Sequence, residues 1–305
     1  MSIDKKMAQT EKDTLKLESD LEKEIKLVYQ TALDDLRKML FVIDSKYGDK
    51  DGVVSYAEIQ KYNRMESIEK EQTEIMNKVS NETQSKTIAY GVDAWLLNYY
   101  RTGYTLETEL QEKLGFKVIN KSDVDVVNPD MKLSMKNNKT FEQTKVNNVI
   151  QRGIAQGKST KQVANDLKVQ LGKSATNAMT TARTTTTRVQ NEAIVKAGNK
   201  AIDKGIDLVK KWNATLDGST RDTHGALDQV KKEKGENFSS GGYSAPAPGQ
   251  FGAPAMDYNC RCRLTYVPRD FTEAEYRRAK GTDSKGILIP YTNYNDWYKN
   301  RVSAK

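Results

Sequence analysis

Apolar residues return at three- and four-residue steps through the first half of the chain. Leu17, Leu21, Ile25, Val28, Ala32, Leu36 and Leu40 fall on one stripe, which predicts an amphipathic helix over about residues 15–43. The run YGDKDG, from Tyr47 to Gly52, interrupts it. A second stripe, Tyr56, Ile59, Tyr62, Met65, Ile68, Ile75 and Val79, predicts a helix folded back antiparallel on the first, because the break is too short for other structure. A third helix is expected over about 92–114, closed by Gly115. From Phe116 the period changes. The run FKVINKSDVDVVN alternates like a strand before Pro129 and reads as a short strand or extended linker at the boundary between two halves.

Three further helices follow. Val146, Val149, Ile150 and Ile154 mark the first. Val163, Leu167 and Leu171 mark the second, with Ser159 or Thr160 as N-cap and Gly172 as its stop. The third spans about 174–203, with Ala175, Ala178, Ala182, Val189, Ala193 and Ala197 on one face. Its run Thr184–Thr187 has poor intrinsic helix propensity, so packing must override it there. After Gly205 the run IDLVKKWNAT alternates as a strand, LDGST reads as a turn and TRDTHGALDQV as a short helix. A Gly/Pro/Ser-rich loop, FSSGGYSAPAPGQFGAPAMDY, leads to CRCRLTYVP, a closing strand. The tail is expected to hold a helix near 272–280 and an aromatic segment, IPYTNYNDWYKN.

These periods assign the α+β class: a mainly helical N-terminal two-thirds followed by a small loop-rich α+β unit. Four segments result: helical 1–130, a candidate docking region for a partner; helical 131–205; a small α+β unit at 206–268 containing the cysteines and histidine; and a tail at 269–305.

Composition narrows the class. The chain has 305 residues, enough for two domains and a sizeable core, and 37% hydrophobic content argues against wholesale disorder. The net charge of +8 is uneven, −3 over residues 1–140 and +11 over 141–305. A basic half suits nucleic acid or an acidic protein surface, but its cations are spread out, which equally fits a solvated face. The first twenty residues lack a signal-peptide core, and no apolar run approaches the ~18–20 residues that span a bilayer. Cys260 and Cys262 stand two positions apart, where a mutual bridge is strained, and are not a secreted disulfide framework. Intracellular assembly and no membrane partner are expected.

Three stretches carry candidate chemistry. In DKDGVVSYAE, Asp49, Asp51, Gly52 and Glu58 have EF-hand spacing, but Tyr47 occupies the first ligand position, so a turn capped by Ser55 is the better reading. GIAQGKST is one residue short of P-loop spacing and follows a helix, which excludes nucleotide binding. The third stretch joins His224, the only histidine, to Cys260 and Cys262, the only thiols. On a strand, residues two apart share a face, so both sulfurs can meet one ion. Two thiolates and an imidazole suit zinc, with a carboxylate or water as fourth ligand. Asp228, one helical turn beyond His224, is the candidate carboxylate, with Asp217 and Asp257 as others. The same letters also fit a buried thiol pair packed as small apolar groups, with His224 bonded to a carboxylate.

The run KKWNATLDGSTRDTHGALDQV, the loop with FSSGG, and NCRCRL resemble the phage Mu F-like head morphogenesis family, minor head proteins of tailed double-stranded DNA phages. TTARTTTTRVQNEA resembles the helix that precedes them, and the likeness covers about residues 145–266. It implies that Arg183, Thr184, Asn191, Trp212, Asp217, Thr220, Arg221, His224, Asp228, Asn259, Cys260 and Cys262 match the family pattern, and that the Cys, His and acidic residues bind metal. It further implies a structural virion component, assembled in the host cytoplasm, with the portal protein, capsid components and packaged double-stranded DNA or its ejection as associations. Gln229 stands where relatives often have glycine.

From the residues themselves, Arg183, Thr187 and Asn191 lie on adjacent turns and can lock their helix to the compact unit. Arg221 suits a carboxylate such as Asp217 or Asp257, Asn259 suits backbone groups ahead of the strand, and Trp212 is expected in the core. None of this needs catalysis, so no enzyme is expected. The competing readings are a zinc-dependent, nuclease-like enzyme and a DNA-binding module. Some relatives carry toxin or transferase domains after this region, and the 37 residues beyond Pro268 are too few for one.

Overall fold

The apolar stripes become long helices. The computed structural model describes residues 3–127, 129–215, 217–269, 276–280 and 286–290. The helices are α1 (Ile3–Tyr47), the short α2 (Tyr56–Gln60), α3 (Arg64–Leu110), α4 (Pro129–Ala155) and α5 (Thr160–Ile202). The expected break between 79 and 92 does not occur: α3 runs through it, because that stretch contains no proline and Val79 and Thr87 are buried along it. Gly172 does not stop a helix either. Leu167, Leu171, Ser174 and Ala175 are buried on both sides of it, and their packing offsets the ~1 kcal/mol that an interior glycine costs.

The second stripe is interrupted instead at Tyr62 and Asn63, both at φ 55, so Tyr56 and Tyr62 are exposed and only Ile59, Ile68 and Val79 reach the core. Residues 116–127 form no strand; a single 3-10 turn, Lys121–Asp123, lies within them.

The chain divides into two compact units, each discontinuous in sequence, whereas the four segments read from the sequence are continuous. One, the helical unit, is Ser19–Ala89 with Val127–Ala182; the other, the mixed unit, is Met1–Glu18, Tyr90–Val126 and Arg183–Lys305. In the helical unit the predicted stripe residues Leu21, Ile25, Leu36, Ile150, Val163 and Leu167 are essentially inaccessible to solvent. The loop after α1 is a turn in which Asp49 Oδ1 accepts the amides of Asp51 and Val53, which occupies the carboxylate an EF-hand would need. Ser55 occupies the N-cap position of α2 but makes no side-chain cap bond. The Ser159–Gln162 pair forms a capping box at the start of α5, where GIAQGKST lies between two helices.

The mixed unit places a small sheet against the end of α5. Strand β1 (Leu208–Asn213) is followed by α6 (Asp222–Gly225), β2 (Lys231–Lys232), β3 (Phe238–Ser240), β4 (Tyr243–Ala245), α7 (Pro254–Asp257) and β5 (Arg263–Pro268). The antiparallel sheet has the order β2-β1-β5, with Trp212 opposite Leu264, and β3 pairs with β4 in a separate hairpin. Its core joins Ile194, Leu208, Trp212, Leu227, Phe238, Leu264 and Tyr266 with both cysteines. Helix and sheet approach closely at Gly198, where any Cβ would lie 2.3 Å from the Tyr266 ring. In the tail, residues 276–280 are strand rather than helix: β6 (Tyr276–Lys280) pairs antiparallel with β7 (Gly286–Pro290), whose Ile-Leu-Ile run has strong strand preference. Residues 270–275 and most of the aromatic segment lie outside the described residues. Among the described residues no helix is long and apolar enough to cross a membrane.

Candidate metal centre

Cys260 and Cys262 lie just ahead of β5 rather than on it. Alternation along a strand therefore does not aim their sulfurs. The backbone is aimed by α5. Thr187 Oγ1 donates to the carbonyl of Cys260 at 2.5 Å. Asn191 Nδ2 donates to the carbonyl of Cys262 at 3.1 Å, and its Oδ1 accepts the amide of Leu264 at 2.8 Å. Asn191 is fully buried and fully used, its Nδ2 also donating to the Thr187 carbonyl of its own helix at 2.9 Å. Asn259, at φ 54, turns the backbone into this position and donates its amide to Thr184 Oγ1. The Thr184–Thr187 run thus tolerates a helix because three of its members are buried and one holds Cys260.

His224 comes from α6, a single turn capped by Arg221. Its ring is 2% exposed, edge-on to Trp212 and stacked on Phe251. Nδ1 lies 3.4 Å from Cys262 Sγ and 3.6 Å from Cys260 Sγ. The imidazole and both thiols, all buried, therefore form one group whose ligand atoms are within 4.8 Å of one another. The Cys262 S–H holds the Cys260 thiol down to about 5, against burial and with help from His224, while the same bond and burial push Cys262 up. The Thr215 amide and Trp212 indole N–H pull Cys262 the other way; the indole approaches the sulfur without reaching full hydrogen-bond geometry.

The donor set fits a metal. With Zn–S ~2.3 Å and Zn–N ~2.0–2.1 Å, tetrahedral ligands place sulfur and nitrogen about 3.6 Å apart, the spacing seen from Nδ1 to both sulfurs. His224 Nε2 is buried with no hydrogen-bond partner. The second partner that usually orients a ligating histidine is replaced here by aromatic packing. Asp228 does not join the group: its Oδ1 accepts the Ala214 amide at 2.9 Å and fastens β1 to the α6 turn. Asp257 accepts the amides of Phe251 and Ala253 and closes the proline-rich loop. No further His, Cys, Asp or Glu among the described residues joins the set.

The polar network around the group differs from the expected one in its arginine. Asp217 pairs with both terminal nitrogens of Arg261, not with Arg221, and this pairing raises the Arg261 pKa. Arg221 donates to the Tyr258 carbonyl instead. Arg261 stands between the two cysteines and reaches the turn that carries Asp217; its position between the two cysteines was the available signal. Asp217 Oδ1 also accepts the Ser219 amide, and Thr215 Oγ1 donates to the Arg261 carbonyl. Arg183 pairs with Glu18 at 3.3 Å and takes no part in holding the thiols. Gln229 sits at φ 65, a conformation natural to the glycine frequent at this place.

The sequence pattern of the Phage Mu protein F like family matches residues 144–265, a span that contains Thr187, Asn191, His224 and both cysteines. Minor head protein GP7 of Bacillus phage SPP1 is 32% identical over 298 residues, covering 93% of each chain. An NAD(+)–arginine ADP-ribosyltransferase, EFV, of Enterococcus faecalis is 30% identical over 282 residues. That match takes in 90% of the present chain but 56% of the relative, so the chain spans little more than half of that protein's length. No solved structure matches. With a relative at this identity along 93% of both chains and a family pattern that includes the thiol–imidazole group, the chain belongs to the phage Mu F-like minor head protein family.

Proposed function

We propose that the protein is a structural component of the phage head that associates with the portal protein and capsid during assembly, and that zinc in the Cys260–Cys262–His224 group fastens its mixed unit. The observation that carries the reading is the match to minor head protein GP7 along 93% of both chains. When bound, zinc supplies a cross-link between residues distant in sequence. The chain's own part is to hold the thiols and imidazole ready, through Thr187, Asn191 and the aromatic walls Trp212 and Phe251. Packaged DNA is a secondary partner, favoured by the net +11 of residues 141–305.

No catalytic role is proposed. His224, Cys260 and Cys262 are each at most 2% exposed, which supports a structural rather than a hydrolytic role for the group. The transferase named among the relatives is matched over 56% of its length, so its activity is not carried over to this chain. Co-expression with the portal protein of the same phage tests the main reading. Stoichiometric co-purification, and presence of the chain in purified virions, is the expected result. Virions that lack it, or a portal that elutes alone, overturn it.

A further inference from the structure

The first turns of α1 are held in an unusual way. Residues 6–18 bury two side chains, Thr10 and Thr14, and none of the apolar ones, with Leu15 45% exposed. Their attachment within the mixed unit is polar. Asn98, fully buried on α3, donates to Thr14 Oγ1 at 3.0 Å. Arg263 donates to the Met7 carbonyl at 3.2 Å and to Asn98 Oδ1 at 3.0 Å. Ion pairs Lys6–Glu109, Asp13–Arg101 and Glu18–Arg183 line the rest. A helical segment with few buried apolar contacts belongs to the least stable parts of a fold.

Arg263 is the key to this seam. It is 8% exposed, and its Nε has no hydrogen-bond partner. A buried guanidinium with an unpaired N–H is costly and persists only where its surroundings hold it. It is held on one side by the β1–β5 ladder, where it faces Asn213, and on the other by the thiol segment. Arg263 directly follows Cys262, and Asn191 grips the Cys262 carbonyl and the Leu264 amide on either side.

We propose that residues 6–18 are a latch whose closure is governed, through Arg263, by occupancy of the Cys/His centre with a soft divalent cation; this rests on the metal reading above. With both sulfurs and Nδ1 fixed on one ion, the backbone of 260–262 has no freedom and Arg263 stays inserted. Without the ion the segment loosens, and the guanidinium turns toward water to satisfy its spare N–H. The Met7 carbonyl and Asn98 then lose their donor, which leaves the ion pairs and the half-buried Met7, Ala8 and Leu17 to keep residues 6–18 in place.

Hydrogen–deuterium exchange on the full chain tests this, with zinc content measured in parallel. The wild-type protein is compared after chelation under reducing conditions and after reloading with zinc alone. Exchange in peptides covering 6–18 rises roughly tenfold or more on stripping and returns on reloading, while peptides from 64–80 stay unchanged. Arg263→Met shows fast exchange at 6–18 in both metal states with unaltered zinc stoichiometry. Equal protection of 6–18 in stripped and reloaded wild-type protein, at one zinc per reloaded chain, overturns the coupling. A chain that takes up no zinc overturns the metal reading and the coupling together. Unchanged protection in Arg263→Met removes the latch itself.

Discussion

The two units solve the same problem by different means. The helical unit buries aliphatic side chains in repeating register, Leu21, Ile25, Leu36, Ile150 and Leu167 among them. Its strength is spread over many similar contacts, none of them specific. The mixed unit has short strands, a long proline-rich loop and two single-turn helices. It orders them with side chains that satisfy backbone groups, far away in sequence for Thr187 and Asn191, nearer for Asp228, and within their own turns for Asp217 and Asp257. The difference is one of redundancy. A deleted methyl group in the first is shared among neighbours, whereas a deleted amide in the second leaves several buried groups without partners.

Metal removal draws the contrast most sharply. Stripped under reducing conditions, the mixed unit loses several kcal/mol, and the near-ultraviolet signal of Trp212 at its centre collapses while the far-ultraviolet helical signal largely persists. A single unfolding transition, equally shifted by both probes, breaks the comparison. Next is Leu36→Ala in the helical unit, expected to cost about 2–5 kcal/mol in chemical denaturation with zinc content unchanged. Asn191→Ala is expected to cost about 2–3 kcal/mol and also to weaken zinc binding by about 10–100-fold. Measured against Leu36→Ala, it separates loss of aim from loss of stability. Arg261→Lys, which cannot reproduce the two-pronged grip on Asp217, should cost about 1 kcal/mol. The smallest effect runs the other way. Gln229→Gly relieves the left-handed backbone at φ 65 and should stabilise by about 0.5 kcal/mol, visible as a slight rise in Tm.

Much of the helical architecture was legible because burial periodicity is a local property. The stripes through Leu21–Leu40 and Val146–Ile154 lie at core positions. Helix ends were less legible. Gly172 read as a stop and residues 80–91 fell between two expected helices, yet one helix runs through each place, since packing on either side outweighs local propensity. The tail strand Tyr276–Lys280 read as helix for a related reason: its partner, Gly286–Pro290, decides its state.

The centre divides in the same way. That His224, Cys260 and Cys262 belong together followed from their being the only residues of their kind in the chain, and Thr187 and Asn191 from their spacing on adjacent turns of one helix. Residue chemistry and short-range spacing are written in the order of the letters. Tertiary structure alone decided that Arg261 rather than Arg221 takes Asp217, that Asp228 serves the Ala214 amide instead of the thiol group, and that Arg263 reaches Met7 and Asn98. Several partners of the right type existed for each, and the choice among them depends on where the folded backbone delivers each side chain, which no local pattern encodes.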